Sequence, residues 1–275
     1  MTSRSARWAD LTHLDFATLD RNRAIAVLPV AAIEQHGPHL PVSVDADIAD
    51  AVTERTLPLL DADLTVLFLP SVGYGKSNEH AAFPGTLTVS AETLIRVLME
   101  IGESVARAGI RRLVLFNTHG GNSPVLDIVA RDLKIAHGVR TAACHWYNFN
   151  EADAATDRSE QAFGIHAGLV ETSVMLAIKP DRVRMERAAD FRNAAGDWQG
   201  RYARIGLTPG RARPGWVIED LNEDGACGNA AAATRELGER LLETASRNFA
   251  AFLAEFDRFC RDMEEARPSS GDGRN

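Results

Sequence analysis

The first clear pattern along the chain is AIAVLPV at 24–30, a short apolar run rich in Val and Ile before a turn-prone stretch, which predicts a strand buried on both faces. Three runs of the same kind follow: LTVLFLP at 64–70, RRLVLFN at 111–117 and GVRTAACHWY at 138–147. Between them, helical periodicity covers Asp47 to Leu60, Ala91 to Ala108 and Ser123 to His137, the last with Ser123 as N-cap and Pro124 as first helical residue. Strands and helices alternating in this way predict an α/β fold, a mainly parallel sheet covered by helices on both faces.

Beyond Tyr147 a polar stretch, NFNEADAATDRSEQ, leads to a helix over Leu169 to Ile178 that stops at Lys179-Pro180. Residues 181–225, with scattered Arg, Gly and Pro, read either as surface segments that cover the sheet or meet a neighbouring subunit, or as an ordinary connection. A long amphipathic helix from Ala230 to Glu264 closes the chain, and residues 266–275 read as a disordered tail. At 275 residues, with no repeat and no second composition, residues 1–265 read as one α/β domain rather than two of about 150 residues each.

Composition narrows the function classes. A chain with 45% apolar and 25% charged residues is neither collagen-like nor wholly disordered. No apolar run approaches the roughly 18 residues of a membrane span, and the N-terminus lacks a signal-peptide core, which predicts a cytoplasmic protein without a membrane partner. A net charge of −8 disfavours nucleic acid and leaves a small-molecule substrate. Cys144, Cys227 and Cys260 form no CxxC pair and read as reduced thiols.

In an open α/β sheet, ligands bind outside the carboxyl ends of the strands. The chemistry-bearing residues fall there: Glu34, Gln35, His36, His39 and Asp45 after the first strand, Tyr74, Lys76, Glu79 and His80 after the second, His119 after the third, and His145-Trp146-Tyr147 at the end of the fourth. Glu34 and His36, two apart, project to one side of an extended backbone, and a Gly-Pro turn lets the chain return Asp45 to the same mouth. With His119 these supply two imidazoles and two carboxylates, a donor set suited to Zn²⁺, Mn²⁺ or Fe²⁺ and poor in soft thiolates. His166 and Glu171 add a further pair. Being five apart, they serve one site only if His166 precedes its helix; otherwise His166 caps the helix and Glu171 offsets its dipole. His119-Gly-Gly-Asn lacks the phosphate-binding glycine patterns, and glycines beside a metal ligand let substrate approach the ion. Tyr74, Lys76, Glu79 and His80 either touch substrate or belong to a solvated loop, and His39 fits a hydrogen bond to a ligand as well as ligation.

Taken together, LPVAAIEQHGPHLPVSVDADI, FPGT at 83–86, RRLVLFNTHGGN, HAGLVETSVMLAI and DLNEDGACGNAAAATRELG resemble the creatininase (creatinine amidohydrolase) family, in family order from about residue 20 to 240. The resemblance implies a three-layer αβα fold, two divalent metal ions per subunit (Zn foremost, Mn or Fe as alternatives) and a homo-hexamer. Carried over by position, it makes Glu34, His36, Asp45 and His119 metal ligands, with Asp45 bridging, and His166 the catalytic histidine. Creatininases proper carry a glutamate two residues after the histidine matching His119; here that residue is Gly121, and Glu171 is the replacement ligand expected in the branch whose motif reads HGGN. The tryptophan that covers creatinine is Ala162 here, with Phe163 beside it, whereas Trp146 matches the family's other active-site tryptophan. Trp146, Tyr74, His80 and Phe163 are therefore the substrate-binding candidates.

The resemblance thus points to the HGGN branch, whose members act on pyrimidine-pathway formamides, a peptide cofactor precursor and a ring-opened sugar ketone. The implied activity is hydrolysis of a C–N amide bond, in a cyclic amide or a formamide, by a metal-bound hydroxide with His166 moving the proton. A ring-opening hydrolase acting on a cyclic ketone or sugar derivative, and a catalytically silent metal-binding subunit, are the alternatives.

Overall fold

In the computed structural model, which describes residues 5–266, the four apolar runs become neighbouring strands. They are β2 (Ile25–Val30), β3 (Val66–Phe68), β4 (Arg112–Asn117) and β5 (Arg140–His145), joined by a short edge strand β1 (Ala6–Arg7) that no pattern announced. Every pairing in this sheet is parallel, in the order β1-β3-β2-β4-β5. The chain moves from β2 outward to β3 and then crosses back to β4, so β2 and β4 flank the point where the winding reverses, the place where such sheets bind ligands.

Residues alternate faces along each strand and feed two separate cores. Ile25, Val27, Val66, Phe68, Val114 and Phe116 belong to one; Ala26, Leu28, Val30, Leu67, Leu113 and Leu115 belong to the other. Helices α2 (Val44–Thr56), α6 (Leu169–Ile178) and α9 (Arg235–Glu265) cover the first face. Helices α3 (Ala91–Arg107) and α4 (Ser123–His137) cover the second. The result is the three-layer αβα arrangement, with the short helix α1 (His13–Thr18) near the start of the chain.

Helix positions match the sequence reading where local caps decide them and shift where tertiary contacts do. α6 runs over the expected residues. α4 also keeps its expected span, but Asn122, itself in helical conformation, precedes it, so Ser123 is the first helical residue and not the cap. α9 starts at Arg235, not Ala230, because Ala230–Ala232 forms a separate 3-10 turn and the Thr234 hydroxyl accepts from Leu237 N at 3.1 Å. Where α9 crosses α6, Gly238 lies so near Ser173 that a Cβ would run into the Ser173 carbonyl, two residues beyond Glu171.

The stretch 181–225 is not a bare connection. With its flanks it contributes α7 (Ala195–Arg201), α8 (Ile218–Leu221) and an antiparallel pair, β6 (Asp190–Phe191) with β7 (Gly228–Asn229), and it builds a satellite core around Ala195, Leu207, Ile218 and Leu221. α5 (Arg158–Phe163) precedes the loop to α6. The tail expected from 266 onward lies, beyond Ala266, outside the described residues. Among the described residues, no helix is long and apolar enough to cross a membrane.

Candidate metal centre and active site

Seven polar residues from four segments, Glu34, Gln35, His36, Asp45, His119, His166 and Glu171, converge beyond the ends of β2 and β4. Past β2 the chain carries Glu34, Gln35 and His36 to a turn at Gly37, whose φ is +67°. Asp45 was expected on a returning loop, but α2 begins at Val44 rather than Asp47, so Asp45 sits in its first turn, where the helix dipole favours an anion. His119 follows β4 directly and is pinned by Asn117, whose side chain accepts from His119 N (3.1 Å) and donates to His119 O (2.7 Å). His166 precedes α6, in a backbone bridge with Cys227 (Cys227 N to His166 O, 2.7 Å), so it does not cap the helix. The turn into α6 is taken by Ala167, a non-glycine residue at φ +55°, rather than by either flanking glycine. Ala167 N donates to Glu171 Oε2 at 2.5 Å, which ties the turn to the carboxylate on the first turn of α6.

The donors form interlocking triads. Glu34, Asp45 and His119 make one, His36, Asp45 and Glu171 a second, and Glu34, His36 and His166 a third; the offered atoms within each lie within 4.8 Å of one another, and all are buried. Asp45 faces both ways: Oδ2 is 3.4 Å from His119 Nδ1 and Oδ1 is 3.5 Å from His36 Nε2. Glu34 Oε1 lies 3.1 Å from His119 Nδ1, and Glu171 Oε2 lies 3.8 Å from His36 Nε2. Glu34 Oε2, His36 Nε2 and Asp45 Oδ2 are buried without a hydrogen-bond partner, a costly state that a cation among them would relieve.

Backbone carbonyls fix the imidazole orientations. His36 Nδ1 donates to Glu34 O (3.0 Å), and His119 Nε2 donates to Lys76 O (3.0 Å), so in each ring the nitrogen facing the carboxylates keeps its lone pair for a cation. With no cation present, burial pulls both pKa values down and the carboxylates outweigh it: Asp45, Glu171 and Glu34 raise His36 to about 9, and Glu34 and Asp45 raise His119 well above its ordinary value. His166 differs. Its Nε2 donates to Gln35 O at 2.8 Å, leaving Nδ1 unprotonated and 3.7 Å from Glu34 Oε1, and burial together with the charge on His36 lowers its pKa to about 3. Its ring lies 4.3 Å from both the His36 and His80 rings.

The other sequence candidates are distributed unevenly. His80 is buried inside the cluster, its Nε2 3.6 Å from Glu34 Oε1, and its Nδ1 accepts from Gln35 Nε2 at 2.8 Å. Trp146 is wholly buried in the core beneath β5, so no face of its indole is open to a substrate. Tyr74 stands 58% exposed on the loop after β3, and Phe163 packs against the satellite core. His39 is turned to other partners: its Nε2 bonds Thr172 Oγ1 at 2.9 Å and its ring stacks on Phe191. A Cβ at Gly121 would collide with Glu79 Oε1 and the His119 ring; the Glu79 carboxylate, paired with Lys76 at 3.0 Å, fills the space a side chain at 121 would need.

Gln35 and Tyr147 carry more of the site than their positions in the chain suggest. Gln35 Nε2 also donates to Gly225 O at 2.8 Å, tying the β2 loop to the segment that brackets His166. Tyr147 donates its hydroxyl to Glu171 Oε1 at 3.1 Å while its ring, 39% exposed, walls a cleft of about 640 Å³. Asn150, Glu151, Gln161 and Ile165, the last next to His166 in the chain, are among the other residues that line that cleft. Gln35 sits inside the EQH run and Tyr147 at a strand end, which are the available signals, but their hydrogen bonds reach partners 190 and 24 residues away.

Comparison with known proteins places the chain in a family. The family model described as Creatininase: Creatinine amidohydrolase matches residues 9–253. The mycofactocin precursor peptide peptidase of Mycobacterium tuberculosis (strain CDC 1551 / Oshkosh) is 35% identical over 225 residues, 78% of this chain and 79% of the relative. The creatinine amidohydrolase of Pseudomonas putida is 29% identical over 92% of this chain and 98% of its own length. A solved creatininase variant of Zn-Zn type superposes with a TM-score of 0.70 at 28% identity, over 92% of this chain and 98% of that one.

Proposed function

Since the chain belongs to the creatininase family, we propose that this hydrolase uses two divalent ions to cleave a C–N amide bond, in a cyclic amide or a formamide, of a small molecule. The observation that carries the proposal is Asp45, one carboxylate whose two oxygens face two separate triads. One ion fits among Glu34, Asp45 and His119, the other among His36, Asp45 and Glu171, and the unpartnered atoms of Glu34, His36 and Asp45 are the ones such ions would satisfy. Two imidazoles and three carboxylates suit Zn²⁺ first, with Mn²⁺ and Fe²⁺ accepted by the same donors. A homo-oligomer, a hexamer by family resemblance, and a cytoplasmic setting complete the reading; Cys144, Cys227 and Cys260 are all free thiols, in keeping with a reducing compartment.

When bound, such ions polarise the scissile carbonyl and make a water acidic enough to ionise near neutral pH. The rest falls to the protein. His166, its Nε2 held by Gln35 O and its Nδ1 free, takes a proton from the attacking water and returns it to the departing nitrogen. Gln35 O holds the opposite nitrogen so that Nδ1 stays the basic one, and Glu34 Oε1, 3.7 Å away, stabilises the imidazolium while it lasts. The His36 and His80 rings on either side keep the imidazole in its plane. The cleft beside Tyr147 receives the part of the substrate that does not react.

The test is elemental analysis of protein purified without chelator, followed by product analysis on cyclic amides and formamides before and after chelation. About two ions per subunit and an amine product that disappears on chelation are expected. A protein that takes up no metal when offered it would end the proposal.

The proton balance supplies a second check. His36 has a pKa of about 9 and His119 one well above its ordinary value while no cation is bound, so both carry a proton at pH 7 that an arriving ion must displace. Titrating apo-protein with Zn²⁺ in buffers of different ionisation enthalpy should show about two protons released per subunit, with affinity rising as pH increases towards 9. Affinity independent of pH between 6 and 8 would remove both histidines from the ligand set.

A further inference from the structure

Glu171 is the ligand candidate whose orientation has most to be explained, because it replaces an expected carboxylate two residues beyond His119 with one delivered from a different helix. Its two oxygens are held from opposite sides. Oε2 accepts from Ala167 N at 2.5 Å and faces His36 Nε2 at 3.8 Å, and Oε1 accepts from the Tyr147 hydroxyl at 3.1 Å. Ala167 belongs to the same turn of chain as Glu171, so that bond alone leaves the carboxylate free to rotate about its last side-chain torsion. The bond to Tyr147 ties it to the end of the sheet.

Tyr147 is itself held in place. Its backbone N donates to His145 Nδ1 at 3.2 Å, its ring stacks on the His145 ring at 5.0 Å, and the Trp146 ring lies tilted against it at 4.6 Å. A phenol keeps its proton at neutral pH, so the hydroxyl is a donor to the carboxylate. The same ring forms a wall of the cleft.

Resting on the two-ion reading above, we infer that Tyr147 is a positioning residue: its hydroxyl sets the Glu171 carboxylate toward His36 and so secures the ion at His36, Asp45 and Glu171, without acting on the ion at Glu34, Asp45 and His119. An outer partner of this kind is worth about 10- to 100-fold in metal affinity.

The experiment titrates apo-protein with Zn²⁺ against a chromophoric chelator in the parent, Tyr147→Phe, Glu171→Ala and the double variant. Phenylalanine keeps the ring that walls the cleft and removes only the donor. In Tyr147→Phe, one site should keep parental affinity and the other should weaken about 10- to 100-fold. In Glu171→Ala that second site should be lost, and adding Tyr147→Phe should cost nothing more, because the hydroxyl acts through the carboxylate. A parent with two ions and unchanged affinities in Tyr147→Phe overturns the inference alone. So does equal weakening of both sites, or an additive loss in the double variant, either of which is the mark of a general structural defect. A parent that binds fewer than two ions overturns the two-ion reading and this inference together.

Discussion

Asp45→Asn is expected to empty both metal positions at once and reduce hydrolysis to background. The amide keeps the size of the side chain and its place in the first turn of α2, but it offers one neutral oxygen where the carboxylate offers two charged ones to His36 and His119. The loss should exceed the ~10–100-fold in affinity that follows from removing an outer hydrogen-bond partner. The pattern across variants discriminates more sharply than any single value. His119→Ala should lose the ion at Glu34 and Asp45, Glu171→Ala the ion at His36 and Asp45, and Asp45→Asn both, as read by elemental analysis and by titration. An Asp45→Asn protein that holds two ions at parental affinity and turns over at the parental rate would show that this carboxylate does not bridge.

His166→Gln and His166→Ala should lower kcat by about 10²- to 10⁴-fold, the usual worth of a positioned proton carrier, while the protein still holds about two ions. Two variants are needed because His166 packs against both His36 and His80, and alanine leaves a gap that glutamine fills. The third triad, in which His166 joins Glu34 and His36, makes metal content the deciding readout. Loss of an ion in both variants would make His166 a ligand, and its catalytic role would have to pass to another group. Intact metal with unaltered kcat would remove it from the reaction altogether. An acid limb between pH 5 and 8 is expected from His36 and His119, whose raised pKa values put protons in competition with the ions.

The fold was legible to the extent that it depends on local rules. Alternating apolar runs and helical periods placed the four main strands, and α4 and α6 lie on the residues expected, because hydrophobic period, Pro124 and Gly138 act within a turn of themselves. β1, two residues long, and the β6–β7 pair carry too little pattern to be read; pairing with distant strands creates them. The start of α2 was misplaced by three residues, which matters because it moves Asp45 from a loop to a helix end.

In the site, the sequence by itself determined the inventory: which carboxylates and imidazoles stand at strand ends, that they form an oxygen and nitrogen donor set without thiolates, and that position 121 offers no side chain. Tertiary structure decided the rest. It turned the two oxygens of Asp45 to different triads, buried Trp146 beyond reach of a substrate, turned His39 to Thr172, put Glu79 where a residue at 121 would point and gave Glu171 its anchor in Tyr147. The reason is physical. Residue type and local period are properties of a few neighbouring positions, whereas the direction of a side chain and the atom that satisfies it depend on segments that only packing brings together.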